Sequence, residues 1–311
     1  MDRLAAENAK NRPSLPIFRL MARERMPWLL GSAAVAAIGL AFVYWPIIVA
    51  RFAVVSSDNF DGLIMVSLLE HWFGVLRGRE TPLTPIYFHP FRTTLAYNDG
   101  NLISGILYSI PRTLGLDPFL SYELTNWTVR VVGCLSTIAL TRLVLRLGLG
   151  PSLAAGFLTI TVTSLSLHMG HAQLLFAAFV PLGLLLFAAT FDLLSRPDTS
   201  NWTCYAAVTG FAIFVFSWAM TAFYSLYVFV MLLGLAFCLG QVLLPEVRAK
   251  ALVIVSQRWA VVVWAAVMLA ASVRAVFWVY SRARATGHDV EALQHCAGRW
   301  VDIANVGTGN F

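Results

Sequence analysis

Residues 199–245 read TSNWTCYAAVTGFAIFVFSWAMTAFYSLYVFVMLLGLAFCLGQVLLP, without one Asp, Glu, Lys or Arg. A helix that crosses a bilayer needs about 20 mostly apolar residues, so this run holds two such helices, at 202–219 and 221–244. The reading extends outward, because formal charge is also missing between Arg25 and Arg51 and between Arg146 and Asp192. The chain of 311 residues is 59% hydrophobic and 12% charged, with a mean hydropathy of +0.72. A soluble domain carries about 25% charged residues, so a soluble protein is excluded. A membrane β-barrel does not fit either, since its strands alternate apolar and polar residues. The expected fold is all-α: a polytopic transmembrane helical bundle.

Seven spans are expected: 28–50, 120–142, 152–168, 172–194, 202–219, 221–244 and 259–280. The polar head 1–27 carries Arg3, Lys10, Arg12, Arg19, Arg23 and Arg25, which places it in the cytoplasm. The first apolar core is too long for a cleaved signal and ends in bulky Trp45-Pro46-Ile47-Ile48, so it reads as a retained anchor. Alternating from there, the connections with Arg142 and Arg146, with Arg196, and with Glu246, Arg248, Lys250 and Arg258 all fall inside. The connections His168-Met169-Gly170-His171 and Met220-Thr221 fall outside, as do segment 51–119 and the tail 281–311. The last residues, Gly307-Thr308-Gly309-Asn310-Phe311, close no element, as expected of one piece of a longer protein.

Within 51–119 the stretch Phe60–Arg77 is apolar but interrupted by Asp61, Glu70 and His71, a pattern for a helix at the interface or packed on others. Asn101–Leu116, with Pro111 and Arg112, predicts a second interfacial or re-entrant helix. Between them lies a loop rich in Pro, Tyr, Asn and Gly. The net charge of +6 and pI near 9.4 follow from basic residues at the cytoplasmic edge, and no nucleic-acid motif is present. Cys134, Cys204 and Cys238 lie in apolar stretches, and Cys296 stands alone, so no structural disulfide is expected.

Polar residues in so apolar a chain are the candidates for chemistry. Asp58 and Asp61, just after the first span, suit a general base or metal ligand, or the cap and first turn of the helix that follows. Glu70 and His71 read equally as an acid/base pair or as the polar stripe of an interfacial helix. His89, Asp99, Tyr87 and Tyr97 suit a sugar pocket, and the tyrosines also suit interfacial anchors. His168 and His171 flank an outer turn, at a spacing that suits a metal ion or an ordinary interfacial turn, and His171 is also a candidate for substrate binding. Arg130 lies mid-span, where a charge needs a partner, and is expected on a helix-internal acceptor or carboxylate. Arg274, near the outer end of the last span, suits a lipid phosphate or snorkels to the interface. Asn126-Trp127-Thr128 and Asn201-Trp202-Thr203 match a glycan acceptor pattern in places where it would not be modified.

In order and spacing across residues 50–285, these stretches resemble a poorly characterised bacterial branch of the GT-C superfamily of membrane glycosyltransferases. The likeness is carried by Asp58-Asn59-Phe60-Asp61-Gly62, Glu70-His71-Trp72, Tyr87-Phe88-His89-Pro90, Leu95-Ala96-Tyr97-Asn98-Asp99-Gly100, Gly115-Leu116-Asp117-Pro118-Phe119 and Gly170-His171-Ala172-Gln173-Leu174. The resemblance implies a GT-C-like domain at 28–280. It implies a polyprenyl-phosphate-linked sugar as donor and an acid in the first outer loop that activates the acceptor hydroxyl with inversion. By position that acid is Asp58, with Asp61 second, acting alone or with a divalent cation (Mg²⁺ or Mn²⁺) held by Asp58. Better-known members carry adjacent acidic pairs, whereas Asn59 and Phe60 separate the two here, which leaves metal dependence open. The implied partners are the lipid-linked sugar and membrane lipid, in a bacterial inner membrane. Two other classes remain: a transporter or flippase of a lipid-linked or small polar substrate, and a non-catalytic membrane assembly protein.

Overall fold

The computed structural model describes residues 25–57, 61–86, 92–162 and 172–281. The regular elements among them are all helical. The first, α1 (Arg25–Val49), bends near its end. Pro46 has no N–H for the helix ladder, and Tyr44 leaves the helical region at φ −101°, ψ 15°. Helices α2 (Asp61–Leu76) and α3 (Leu102–Thr113) occupy the two interfacial stretches expected within 51–119. A 3₁₀ turn (Leu95–Tyr97) lies between them. Then come α4 (Pro118–Ala139), continued by a π turn (Leu140–Val144), and α5 (Leu149–Thr161). A 3₁₀ stretch (Ala172–Phe179) leads into α6 (Val180–Leu194). The chain continues through α7 (Asn201–Ala219), α8 (Phe223–Leu243), α9 (Pro245–Gln257) and α10 (Trp259–Tyr280).

Among the described residues, six rods are long and apolar enough to cross a membrane: Met26–Val49, Pro118–Val144, Gln173–Leu194, Asn201–Ala219, Phe223–Leu243 and Trp259–Tyr280. Their outward faces carry Phe42, Trp202, Leu232, Leu239, Val267 and Phe277 in the open, far more apolar surface than water tolerates on a soluble monomer. The protein is a multi-pass helical membrane protein. The expected span 152–168 differs: α5 has 13 residues, about 20 Å of helix against a hydrocarbon core of about 30 Å. It stops where Val162 turns extended (φ −56°, ψ 127°), and residues 163–171 lie outside the described set. A second difference is α9, which forms a helix in what the charges suggested was a plain connection. Pro245 at its first position and Glu246 in its first turn start it, as both do at helix N-termini.

Helix α4 is the hub, packed on α1, α2, α3, α5 and α6. Its buried face is small and polar, including Ser121, Thr125, Asn126, Gly133, Ser136 and Thr137. Membrane helices associate through such residues because lipid supplies no hydrophobic drive between them. A Cβ on Gly133 would lie 2.7 Å from that of Ala178. The hydroxyls of Thr125, Thr137 and Thr141 turn back onto carbonyls four residues earlier, which satisfies them without a partner helix. Arg130 meets the expectation of a helix-internal acceptor: its Nη1 donates to Ile160 O at 3.0 Å, one of the carbonyls that the end of α5 leaves open.

The bundle has two distinct ends. At one, Asp192 accepts from Arg196 at 2.5 Å and from Lys250 at 3.0 Å. There Arg258 also donates to the carbonyls of Arg196, Pro197 and Thr199 and to the Asn201 side chain. This basic end ties α6, α7, α9 and α10 together. At the far end of α7, the turn 219–222 meets the segment just before α3. The candidate site lies at that loop end.

Candidate functional site at the loop end

Past the end of α1 the chain is pinned to α4. Ser56 donates its backbone N–H to Glu123 Oε1 at 2.5 Å and its hydroxyl to Oε2 at 2.7 Å. Glu123 is 1% exposed. Arg130, seven residues on and therefore on the same face of α4, is fully buried, with its guanidinium 5.6 Å from the centre of the Tyr44 ring. The Trp127 ring lies 5.3 Å from Tyr44 and 5.7 Å from Phe52, closing the wall between α1 and α4. In this neighbourhood Ser57 Oγ, Asn126 Nδ2 and Trp127 Nε1 are buried without a hydrogen-bond partner among the described residues. Buried polar atoms are nearly always paired with protein or ordered water. Open ones beside a buried carboxylate and guanidinium are places for ordered water.

Three consecutive residues of α2 fasten the rest of the loop region. Glu70 Oε1 accepts from Tyr108 Oη and from Arg112 Nε, both at 2.5 Å. Burial, and then the Glu70 carboxylate, push the Tyr108 hydroxyl well above its ordinary range, so it remains a donor. The same carboxylate raises Arg112 further. His71, fully buried, holds Nδ1 2.5 Å from Glu80 Oε2 and Nε2 3.2 Å from Pro82 O. Trp72 Nε1 donates to Gly100 O at 2.6 Å. Glu70-His71-Trp72 is thus a knot joining α2 to α3, to the 80–82 turn and to the loop before α3.

That loop is itself zipped onto the 219–222 turn. Asp99 Oδ1 accepts from Phe223 N at 3.0 Å, at the start of α8. Asn101 N and Leu102 N donate to Thr221 O and Met220 O, each at 3.2 Å, and Ile103 N donates to Thr221 Oγ1 at 2.8 Å. Gly100 is required by this contact, since a Cβ there would sit 2.2 Å from Met220 O. Burial raises the Asp99 carboxyl above the usual carboxylate range, with the Phe223 N–H partly offsetting it. The Gly115–Phe119 stretch is a helix stop and start. Gly115, at φ +89°, ends α3 with Gly115 N on Arg112 O and Leu116 N on Pro111 O, the pairing of a glycine-terminated helix. Asp117 then caps α4 by accepting from Phe119 N and Leu120 N, ahead of Pro118.

Asp58, the expected base and metal ligand, lies outside the described residues, as do Tyr87, His89, His168 and His171. Asp61 opens α2 as its first residue, where a carboxylate favours the positive helix end. Tyr97 is 47% exposed on the 3₁₀ turn. Arg274 is exposed on α10. Glu70, His71 and Asp99 share the loop end, but each is bonded to its own partner and none points at another. Among the described residues no group of three His, Cys, Asp or Glu side chains is placed to hold a metal. Glu123 is not among the residues singled out from sequence. Its signal was present, because a lone carboxylate at the fourth position of an expected span invites the same attention as Arg130. Set against family models, curated proteins and solved structures, the chain matches none.

Proposed function

We propose that the protein is a GT-C-type membrane glycosyltransferase, moving a sugar from a polyprenyl-phosphate donor to an acceptor at the outer face of a bacterial inner membrane. In this reading Asp58 takes the acceptor proton while the acceptor oxygen attacks the anomeric carbon from the face opposite the phosphate. The carbon–oxygen bond to phosphate breaks, its electron pair leaves with the phosphate, and configuration inverts. A divalent cation bound with Asp58 would help neutralise the leaving phosphate. The observation that carries the reading is the Ser56–Glu123 bond. It fixes the backbone two residues before Asp58, beside buried Arg130 and several open polar atoms. Ionisable residues at such depth are functional by default, and a general base must be held in reach of its proton.

The test is release of free polyprenyl phosphate from membranes supplied with lipid-linked sugars and candidate acceptors. Sugar-dependent release that collapses in Asp58→Asn supports the transferase, and equal release in both removes Asp58 from the chemistry. One observation favours the assembly-protein reading: Glu70, His71 and Asp99 are all taken by bonds that hold the loop end together. Absence of turnover with every donor would favour that reading.

A further inference from the structure

Helix α3 is inside out for a soluble protein. Its buried face is Ser104, Gly105, Tyr108, Ser109 and Pro111, while Ile106, Ile110 and Leu114, at four-residue spacing, are 45%, 58% and 78% exposed. Beside them Leu76 of α2 is 57% exposed. These side chains, with Phe73 and Arg77, line an open groove of about 460 Å³ between α2 and α3. Its cations differ in one respect. Both the Arg112 and Arg77 guanidinium groups lie over the Phe73 ring, at 5.2 and 4.4 Å, but Arg112 is neutralised by Glu70. Arg77 is exposed one residue past the end of α2, just before Gly78 (φ +69°) turns the chain. Among the described residues its guanidinium has no carboxylate or carbonyl partner. Arg79, two residues on, is also exposed.

An apolar trough with an uncompensated guanidinium at its rim is complementary to a lipid chain below an anionic headgroup. A guanidinium grips two phosphate oxygens at once, and the aromatic face beneath Arg77 keeps it extended over the groove. We propose that the α2–α3 groove is a docking site for one anionic glycerophospholipid, with its phosphate on Arg77 and an acyl chain against Ile106, Ile110 and Leu114. The site needs only the membrane setting and is independent of the glycosyl-transfer chemistry.

The test uses the full chain reconstituted in vesicles of phosphatidylcholine with a minor share of phosphatidylglycerol, then released gently for native mass spectrometry of retained lipid. Wild type retains phosphatidylglycerol in preference to phosphatidylcholine. Arg77→Gln lowers that retention about fivefold, the worth of one basic residue at an anionic surface, and Arg77→Lys keeps most of it. Arg248→Gln, at the opposite end of the bundle, leaves it unchanged. Equal retention of the two lipids by wild type would overturn the proposal, as would undiminished phosphatidylglycerol on Arg77→Gln. Displacement by inorganic phosphate alone would also overturn it, since that describes an ion site and not a lipid groove.

Discussion

Ser56 gives both its backbone N–H and its hydroxyl to the two oxygens of Glu123, so a single carboxylate in α4 fixes how the chain leaves α1. Replacing Glu123 with Ala leaves the Ser56 N–H without its acceptor, a loss of about 2–3 kcal/mol. Glu123→Gln keeps one carbonyl oxygen and loses roughly half as much. Thermal unfolding in detergent micelles measures both. Equal losses would mean that the hydrogen bonds are not what the carboxylate contributes.

Asp99 makes stability depend on pH. Folding raises its carboxyl, chiefly through burial. Such a group stabilises the fold at pH below its unfolded value, and the contribution is lost as pH rises through the folded one. Asn at this position keeps an acceptor for Phe223 N without the buried charge. The thermal midpoint of wild type should therefore fall more steeply than that of Asp99→Asn as pH rises above the ordinary carboxylate value of about 4. Parallel curves would contradict the assignment.

The docking of the 98–103 loop on the 219–222 turn depends on Gly100. Its Ala variant places a methyl 2.2 Å from Met220 O, a backbone atom with little freedom to move. The expected cost is about 1–3 kcal/mol, read as faster amide exchange at Asn101, Leu102 and Ile103. Trp72→Phe removes the bond to Gly100 O and leaves a void where part of the buried indole sat, and costs about 1–3 kcal/mol, with the loop still docked.

The Glu70–Arg112 pair is short, but its side chains are 36% and 19% exposed. A double-mutant cycle with Glu70→Gln and Arg112→Gln should give a coupling of no more than about 1 kcal/mol, shrinking with added salt. A larger, salt-insensitive coupling would mean that the pair is screened from solvent, as in a closed site.

Much of the architecture was legible because its signals are local. The charge-free runs placed α1, α6, α7 and α8, long apolar stretches broken by single charges placed α4 and α10, and the interrupted apolar stretches placed α2 and α3 within a few residues of their ends. The basic connections around Arg196, Lys250 and Arg258 do meet at one end. The misses have long-range causes. The α9 helix is held by Lys250 on Asp192, 58 residues away in sequence, and hydropathy cannot report such a partner. Among the site residues, Glu70, His71 and Asp99 stood out as polar groups in an apolar chain. Their structural bonds to Arg112, Glu80 and Phe223 N depend on how the loop folds back. Glu123 was visible as a lone carboxylate in an expected span, but only its contact with Ser56 shows what it does.

The proposed sugar transfer depends above all on Asp58 as its base. The direct measurement is release of polyprenyl phosphate by reconstituted wild type, Asp58→Asn and Asp61→Asn, with each variant checked for folding and insertion. Sugar-dependent turnover should fall about 100-fold or more in Asp58→Asn, the usual worth of general-base catalysis, and far less in Asp61→Asn. Unchanged turnover in folded Asp58→Asn would contradict that role.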